Sequence, residues 1–214
     1  MKMLITAATK MEILPLIEAK DKLKTGAEIV FHTGGIGLMA TTFSLAKAIE
    51  QHKPALVVQA GIAGCFDNTI TFGSVVVVGK EYMADMGVME NHQWKDVFDM
   101  NLTDSNEFPF SNKQLINPNI PEFNVLKSPV VTGVSVNTIS TNPIHIQQIR
   151  QQYHPFLESM EGAAMHYVCL KNCIPFIQIR AISNMVGERD KKRWKLKESI
   201  VSLNDYLTEY LTRF

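Results

Sequence analysis

Strand-length apolar runs alternate with segments of helical spacing along this chain, and few folds accommodate that order. The run ALVVQAG at residues 55–61 is apolar except for Gln59, as expected for a strand that is covered on both faces. The segment before it, residues 37–53, has apolar side chains at Phe43, Ala46 and Ile49, which is the spacing of a helix with one buried face. The alternation predicts an α/β sandwich built on a largely parallel sheet.

The same pattern predicts six strands and five helices. The strands are predicted at residues 3–8, 27–34, 55–61, 73–84, 128–136 and 175–183. The helices are predicted at residues 10–20, 37–53, 142–153, 161–173 and 191–214. Ligands of such sheets bind beyond the carboxyl ends of the strands, so the residues that follow strands are candidate site residues. The length of 214 residues suits a single domain over residues 1–214.

Residues 90–127 are the least regular part of the chain. Proline, asparagine and serine recur there beside Trp94, Phe98, Phe108 and Phe110. A long segment of weak pattern within a compact fold is usually a functional loop, an excursion between domains or an oligomer contact. All three interpretations stay open for this segment.

Composition and charge exclude several classes of function. Lysine plus arginine and aspartate plus glutamate each total 21, so the chain lacks the basic surface of a nucleic-acid-binding protein. The sequence shows neither a signal-peptide pattern nor the ~20 apolar residues of a membrane helix, and no membrane partner is expected. The three cysteines, Cys65, Cys169 and Cys173, fit neither a disulfide framework nor a zinc site. A reducing compartment such as the cytoplasm is therefore expected.

Three glycine-bearing segments follow predicted strands, in HTGGIGLMA, QAGIAGCF and VVTGVSVNT. Glycine lets a ligand approach the backbone, and helix N-termini present free N–H groups. The first segment is not a dinucleotide fingerprint, because Ala40 stands where the third glycine of GxGxxG would lie, and no GK[ST] follows for a phosphate loop. No cofactor and no metal are expected, and chain geometry explains each glycine turn equally well.

Charged and polar side chains follow strands or begin helices at five positions. Glu12 and Glu161 begin predicted helices, where a carboxylate also complements the helix dipole without any further function. Arg180, Ser183 and Asn184 leave the end of the last apolar strand, and a buried arginine requires a carboxylate or a ligand as partner. Two acids, an arginine and an amide together suit a polar, uncharged heterocycle that carries a hydroxylated sugar.

The stretch SMEGAAMHYVCLKNCIPFIQIRAISN at residues 159–184 resembles the signature of the nucleoside phosphorylase and nucleosidase superfamily. The segments VVQAGIAGCF and GGIGLMA, and the first strand with Glu12, follow that family's order and spacing, so the resemblance is weak only in residues 90–127. It implies one α/β domain, a three-layer sandwich with a central mixed, barrel-like sheet. It also implies a purine nucleoside substrate and a homodimer or larger homo-oligomer in which the partner closes the 5′ side of the pocket.

In the superfamily that the chain resembles, the nucleophile is phosphate in the phosphorylases and water in the nucleosidases. Phosphorylases hold phosphate with arginines near the first two strands, but residues 34–72 contain no arginine and the first in the chain is Arg150. Water is therefore the expected nucleophile. By resemblance, Glu12 is its general base or positioning residue, Glu161 binds the ribose hydroxyls, and Met160 packs on the sugar.

The residue type at the position of Asn184 differs between nucleosidases that release different bases. Methylthioadenosine/S-adenosylhomocysteine nucleosidases carry aspartate at this position, where it helps to protonate adenine at N7. The amide of Asn184 can instead accept N7–H and donate to a 6-oxo group, which favours hypoxanthine. In the flipped orientation the amide would accept from a 6-amino group, so the sequence leaves both bases open.

The continuation SNMVGERDKKRW resembles the futalosine hydrolases, which release hypoxanthine from futalosine in a menaquinone pathway. Gly61, Ile62 and Val136 are further candidate substrate-binding residues. Two of them depart from the adenosine nucleosidases, because Ile62 replaces a serine near the water and Val136 replaces an aromatic residue over the base. Futalosine also carries an aromatic carboxylate that needs a cationic or amide partner, which lysine or histidine side chains of residues 90–127 or a second subunit could supply. Arg189 and Asp190 are interpreted either as loop charges, with Asp190 as the N-cap of the last helix, or as part of a lid near the base.

Overall fold

The computed structural model describes residues 1–91 and 93–214. Within these two ranges, ten strands and six α-helices follow one another. The strands are β1 (Lys2–Ala7), β2 (Glu28–Thr33), β3 (Leu56–Cys65), β4 (Val75–Met83), β5 (Gly87–Glu90), β6 (Gln93–Asp96), β7 (Leu115–Ile116), β8 (Val130–Ser135), β9 (Leu157–Ser159) and β10 (Phe176–Met185). The helices are α1 (Lys10–Glu18), α2 (Leu38–His52), α3 (Ile120–Phe123), α4 (Pro143–Tyr153), α5 (Gly162–Lys171) and α6 (Leu196–Leu211).

Five strands close the main sheet into a barrel. Around this barrel, β3 pairs in parallel with β10 and antiparallel with β9. β4 pairs antiparallel with β10 and in parallel with β8, and β8 pairs in parallel with β9. β1 and β2 extend the sheet from β3 in parallel, β7 adds to β4, and β5 and β6 form a separate hairpin. Most pairings in the main sheet are parallel, and the prediction of a mixed, barrel-like sheet is confirmed.

Helices cover both faces of the sheet, which gives the three layers that were predicted. Along β1, Met3 and Ile5 pack toward α1 and α6, whereas Leu4 packs toward α2 and α5, which follows the two-residue period of a strand. The first apolar layer includes Ile13, Leu16, Leu203 and Leu207, and the second includes Leu45, Ile49, Met165 and Phe176.

The C-terminal helix begins later than the pattern predicts, and the prediction of one helix from residue 191 onward is wrong there. Lys191–Arg193 forms a single 3-10 turn, and α6 starts only at Leu196. The Lys195 N–H donates to the Ser183 carbonyl at 2.9 Å, which draws the chain across the end of β10 before the helix starts. We call residues 186–195 the β10 loop.

The weakly patterned segment at residues 90–127 is anchored on the C-terminal end of α4. The Asp96 carboxylate is buried and accepts hydrogen bonds from Lys113 Nζ at 3.0 Å, Gln152 Nε2 at 3.1 Å and Tyr153 Oη at 3.3 Å. This cluster fixes the position of the hairpin formed by β5 and β6. The functional role of the segment stays a prediction.

Within the described ranges, no helix combines the length and the apolar character that crossing a membrane requires. The assignment of residues 1–214 to a single domain stays a prediction.

Candidate active site

A cavity of about 320 Å³ lies at the carboxyl ends of β3 and β10, beside the first turn of α1 and the start of α5. Six residues that the sequence predicted for the site line it, namely Glu12, Ile62, Met160, Glu161, Ser183 and Asn184. The lining also includes Met11, Ile36, Ile139, Glu158, Glu188, Arg189 and Trp194. The parallel strands β3 and β10 thus deliver their last residues to one cavity, as the fold class predicts.

Thr9 and Ile62 hold the Glu12 carboxylate at the start of α1. Glu12 Oε2 accepts hydrogen bonds from the Thr9 backbone N–H at 2.9 Å and from the Thr9 hydroxyl at 3.0 Å. Oε1 accepts one from the Ile62 N–H at 3.2 Å. A carboxylate accepts about four hydrogen bonds, so a lone pair of Oε1 remains for a donor in the cavity.

Glu161, at the start of α5, is held by a backbone N–H and by an arginine. Its Oε1 accepts from the Gly37 N–H at 3.2 Å, and its Oε2 lies 3.7 Å from Arg180 Nη1. Gly37 has a φ of 87°, a conformation that favours glycine, so the turn GGIGLMA is shaped to present this N–H to Glu161. Burial raises the pKa of Glu161, while the Arg180 charge and the Gly37 N–H oppose the rise.

Arg180 lies directly behind the cavity wall and is 1% exposed. Its Nη2 donates to Gln59 Oε1 at 3.0 Å, and its Nη1 donates to the Ile62 carbonyl at 3.4 Å. A β-carbon on Gly61 would overlap with Nη1, so only glycine leaves room for the guanidinium there. Glu161 is thus the carboxylate that a buried arginine requires, and Gly61 and Arg180 support the site from behind its lining.

A β-bulge in β10 turns two consecutive side chains into the cavity. Ile182 pairs with Ala63 and Asn184 pairs with Gly64, which leaves Ser183 without a partner on β3. In a regular strand Ser183 and Asn184 would point to opposite faces, whereas a bulge re-aims side chains. Both residues line the cavity as a result.

Hydrogen bonds to Ser183 and Met185 set the orientation of the Asn184 amide. The Ser183 hydroxyl donates to Asn184 Oδ1 at 2.7 Å, and Asn184 Nδ2 donates to the Met185 carbonyl at 2.9 Å. A flipped amide would place Oδ1 against the Met185 carbonyl, which is an acceptor only. Each end of the amide therefore keeps one hydrogen-bonding direction for a ligand, with the acceptor on the Ser183 side.

Val136 lies elsewhere, and among the residues that the structure describes it is not part of the cavity lining. It is fully buried in an apolar cluster with Phe66, Val134 and Tyr153. The resemblance places it over the base, but its side chain packs between β8 and α4. Ile139, three residues further along the chain, contributes the apolar surface to the cavity instead.

Glu158 also lines the cavity, although no sequence pattern singles it out. It is 7% exposed and accepts a hydrogen bond from the Ser140 N–H at 3.2 Å, and burial raises its pKa. Glu158 pairs with Gly64, which pairs with Asn184 on its other side, so the acid and the amide flank one glycine. β9 spans only Leu157–Ser159, which is too short for a periodic pattern to reveal.

A further carboxyl group, that of Glu81 on β4, lies in the interior near Arg180. Ser135 Oγ and Gln178 Nε2 donate to it at 3.0 and 2.9 Å. Burial raises the pKa of Glu81 to about 7, although these hydrogen bonds and the Arg180 charge oppose the rise. A β-carbon on Gly162 would overlap with this carboxyl group, so the small residue after Glu161 makes room for it.

The site therefore combines two carboxylates, a counter-charge behind them and an oriented amide in one cavity. A family model described as the phosphorylase superfamily matches residues 19–212. The chain belongs to the phosphorylase superfamily. This confirms the membership that the motifs of the chain predicted.

Curated members of the phosphorylase superfamily match most of the chain at low identity. The futalosine hydrolase of Thermus thermophilus is 27% identical over 180 residues, which cover 83% of this chain and 79% of the relative. The 5′-methylthioadenosine/S-adenosylhomocysteine nucleosidase of Bacillus subtilis is 25% identical over 187 residues, which cover 86% of this chain and 76% of the relative. Both names denote hydrolytic members, and the prediction of an enzyme of the nucleosidase type is confirmed.

Solved structures of the superfamily share the fold over the full chain. Futalosine hydrolase of Helicobacter pylori gives a TM-score of 0.82 at 16% identity and covers 100% of this chain and 98% of its own. The methylthioadenosine/S-adenosylhomocysteine nucleosidase of Neisseria meningitidis, solved with methylthio-immucillin-A, gives 0.81 at 18% identity and covers 100% and 99%. These similarities confirm the nucleoside phosphorylase-like fold.

Proposed function

We propose that this chain hydrolyses the N-glycosidic bond of futalosine, with water as nucleophile, to hypoxanthine and dehypoxanthine futalosine in menaquinone biosynthesis. The observation that carries the proposal is the oriented amide of Asn184 in the cavity. The similarity to a relative named futalosine hydrolase supports the same substrate. The catalytic residues are Glu12 and Asn184, with Glu161 and Met160 on the sugar.

The amide of Asn184 suits a 6-oxo purine as leaving group. When the bond between C1′ and N9 breaks, its electron pair passes to the purine, and in hypoxanthine part of that charge rests on O6. The N–H of Nδ2 donates to the charge that develops on O6, and Oδ1 accepts N7–H once N7 has taken a proton from solvent water, so the amide stabilises the transition state more than the ground state. Adenine lacks this oxygen and needs an acid proton at N7, which an amide does not supply.

Glu12 and Glu161 act on the sugar side of the bond. The free lone pair of Glu12 Oε1 accepts a proton from water while the water oxygen bonds to C1′. Glu161 accepts hydrogen bonds from the ribose hydroxyls, and Arg180 balances its charge from behind at 3.7 Å. Met160, which lines the cavity, packs on the sugar.

Two other reactions of the superfamily are the alternatives. A methylthioadenosine/S-adenosylhomocysteine or aminodeoxyfutalosine nucleosidase would release adenine, and relatives with the former name match at comparable identity. A purine nucleoside phosphorylase would need a phosphate site. Residues 34–72 contain no arginine, and Arg180 is already bonded to Gln59 and Ile62, which disfavours phosphate.

Product analysis tests the proposal. The purified protein is incubated separately with futalosine, inosine and methylthioadenosine in phosphate-free buffer, and the released bases are quantified. We expect hypoxanthine from futalosine at the highest rate, with no acceleration when phosphate is added. Release of adenine alone, or turnover that requires phosphate, would refute the assignment.

We also propose that a second copy of the chain covers the rim of the cavity. Met39 and Phe43 lie one turn apart on α2 and are 86% and 67% exposed, next to Ile36, which lines the cavity and is 62% exposed. Exposed apolar side chains grouped in this way are typical of an interface. Light scattering should give at least a dimer mass for the wild type and a monomer mass for a Met39→Glu, Phe43→Glu variant. A monomeric wild type would contradict this proposal.

A further inference from the structure

The described lining of the cavity contains more acidic than basic side chains. Among the described lining residues, four carboxylates face one cation: the acids are Glu12, Glu158, Glu161 and Glu188, and the cation is Arg189. Glu12 and Glu161 are assigned to the reaction, and Glu158 is buried against Ser140. Arg189 is exposed on the β10 loop at the mouth of the cavity, and the proposed reaction does not use it.

The β10 loop is built firmly enough to hold Arg189 in place. The Trp194 indole N–H donates to the Glu188 carbonyl at 3.0 Å, and Asp190 Oδ1 accepts from the Lys192 N–H at 3.0 Å. Gly187 turns the chain at a φ of 90°, and a β-carbon there would lie 2.9 Å from the Ile146 side chain. The loop therefore presents a defined surface to the cavity.

Arg189 and Arg193 lie on the same loop but differ in their partners. Arg193 Nη1 lies 3.0 Å from Glu188 Oε2, so its charge is neutralised within the loop. In the described part of the chain, no carboxylate lies within salt-bridge distance of the Arg189 guanidinium. Its guanidinium carbon instead lies 5.4 Å from the centre of the Trp194 ring.

We infer that Arg189 and Trp194 form a subsite for an anionic aromatic group carried by the substrate. A guanidinium binds a carboxylate through two parallel hydrogen bonds, and an indole face offers a stacking surface for an aryl ring. Two of the four lining carboxylates are paired with arginines outside the lining, and the other two lie within salt-bridge distance of no cation in the described ranges. An anion that enters the cavity therefore needs a cation there, whereas a neutral nucleoside does not. The inference rests on the proposed function, because futalosine carries an aromatic carboxylate and inosine does not.

If this subsite exists, the loss of Arg189 should impair the cleavage of an anionic substrate and spare that of a neutral one. Arg189→Gln should raise the KM for futalosine roughly tenfold or more, the effect of losing one hydrogen-bonded charge pair, and leave kcat/KM for inosine within about twofold. Arg193→Gln is the matched control, because it removes the same charge from the same loop at a side chain that is 74% exposed and paired with Glu188. It should leave inosine cleavage unchanged and raise the KM for futalosine less than Arg189→Gln does, because it only removes the partner of the Glu188 carboxylate in the cavity lining.

The kinetic test uses wild type, Arg189→Gln, Arg189→Lys and Arg193→Gln with futalosine and inosine. A futalosine-selective rise in KM, partly rescued by lysine, supports the subsite. An equal loss on both substrates, or the same loss in Arg193→Gln, overturns it.

A binding test keeps the inference separate from the proposed function. Benzoate and its neutral isostere benzamide are titrated into the wild type and Arg189→Gln, and binding is followed by the change in tryptophan fluorescence. We expect benzoate to bind at least about tenfold more tightly than benzamide, with the difference lost in Arg189→Gln. Equal binding of the two probes overturns the subsite whatever nucleoside the enzyme cleaves. Failure to cleave futalosine with the benzoate preference intact would refute the proposed function alone.

Discussion

The Ser183 hydroxyl donates a 2.7 Å hydrogen bond to Asn184 Oδ1 although the two residues are neighbours on one strand. The bulge at Ser183 makes this contact possible, because it brings both side chains to the same face. The Met185 carbonyl holds the other end of the amide. The group that we propose to read the purine is therefore oriented before any substrate binds.

Replacing the amide by a carboxylate should weaken the preference for a 6-oxo purine. In Asn184→Asp an acceptor replaces the donor that faces O6, so we expect cleavage of futalosine and inosine to fall at least about tenfold, or roughly 1.4 kcal/mol. Release of adenine relative to hypoxanthine should rise. Steady-state rates with inosine and methylthioadenosine check this. Asn68→Asp, an exposed position with the same charge change, is the control, and unchanged inosine cleavage in Asn184→Asp would contradict the role of the amide.

Removing the acceptor that receives the water proton should abolish most of the turnover. We expect Glu12→Gln to lower kcat about a hundredfold or more with little change in KM, because general-base catalysis contributes on that order. Glu18→Gln removes an exposed acid from the same helix and should keep full activity. Single-turnover hydrolysis measures the effect, and a Glu12→Gln variant at the wild-type rate would remove Glu12 from the mechanism.

A methyl group at Gly61 should disrupt the charge network behind the cavity. A β-carbon there would overlap with Arg180 Nη1 and lie 3.0 Å from Glu12 Oε1. We therefore expect Gly61→Ala to lower the free energy of unfolding by about 1–3 kcal/mol through overpacking. The variant should also lose most of its activity. In Gly34→Ala the nearest atom would lie 3.5 Å away, an ordinary contact. Urea unfolding of both variants distinguishes them, and equal stability of the two would show that the space at Gly61 is not needed.

Glu81 should make the protein less stable as the pH rises from about 4.5 to about 7. Its pKa is raised from 4.5 to about 7 in the fold, so between these values the folded state binds more protons than the unfolded state and loses stability with increasing pH. The full effect is roughly 3 kcal/mol. His166, whose pKa is lowered by burial to about 4, acts in the opposite direction but is common to the wild type and Glu81→Gln.

The free energy of unfolding of wild type and Glu81→Gln should therefore be compared at pH 5 and pH 8. We expect the variant to gain stability relative to the wild type at pH 8. The same difference at both pH values would mean that Glu81 ionises normally in the fold.

Much of the fold could be predicted from sequence because its central strands are long and apolar. β3 and β10 read as continuous buried runs, and α4 begins at Pro143, with the Asn142 side chain accepting from the Ile144 N–H at 2.9 Å. The antiparallel placement of β4 depends on pairing between residues far apart in the chain, which local pattern does not encode. The late start of the last predicted helix likewise depends on the contact between Lys195 and Ser183.

The site was predictable where polar residues interrupt apolar strands or begin helices. Glu12, Glu161 and Asn184 stand out in this way, and all three line the cavity. Glu158 does not stand out, because its strand is too short to show a pattern and its proximity to Asn184 arises through β3. Val136 has the sequence position of a site residue, but its side chain is fully buried among apolar neighbours.

The central claim is that this cavity selects a 6-oxo purine nucleoside for hydrolysis. The most direct test is a competition in which equimolar futalosine and methylthioadenosine share one sample of wild-type enzyme in phosphate-free buffer. The ratio of released hypoxanthine to adenine gives the ratio of the two kcat/KM values. We predict a ratio of at least about one hundred in favour of hypoxanthine, because adenine would leave the Nδ2 donor unmatched. A ratio of one or less would contradict the claim.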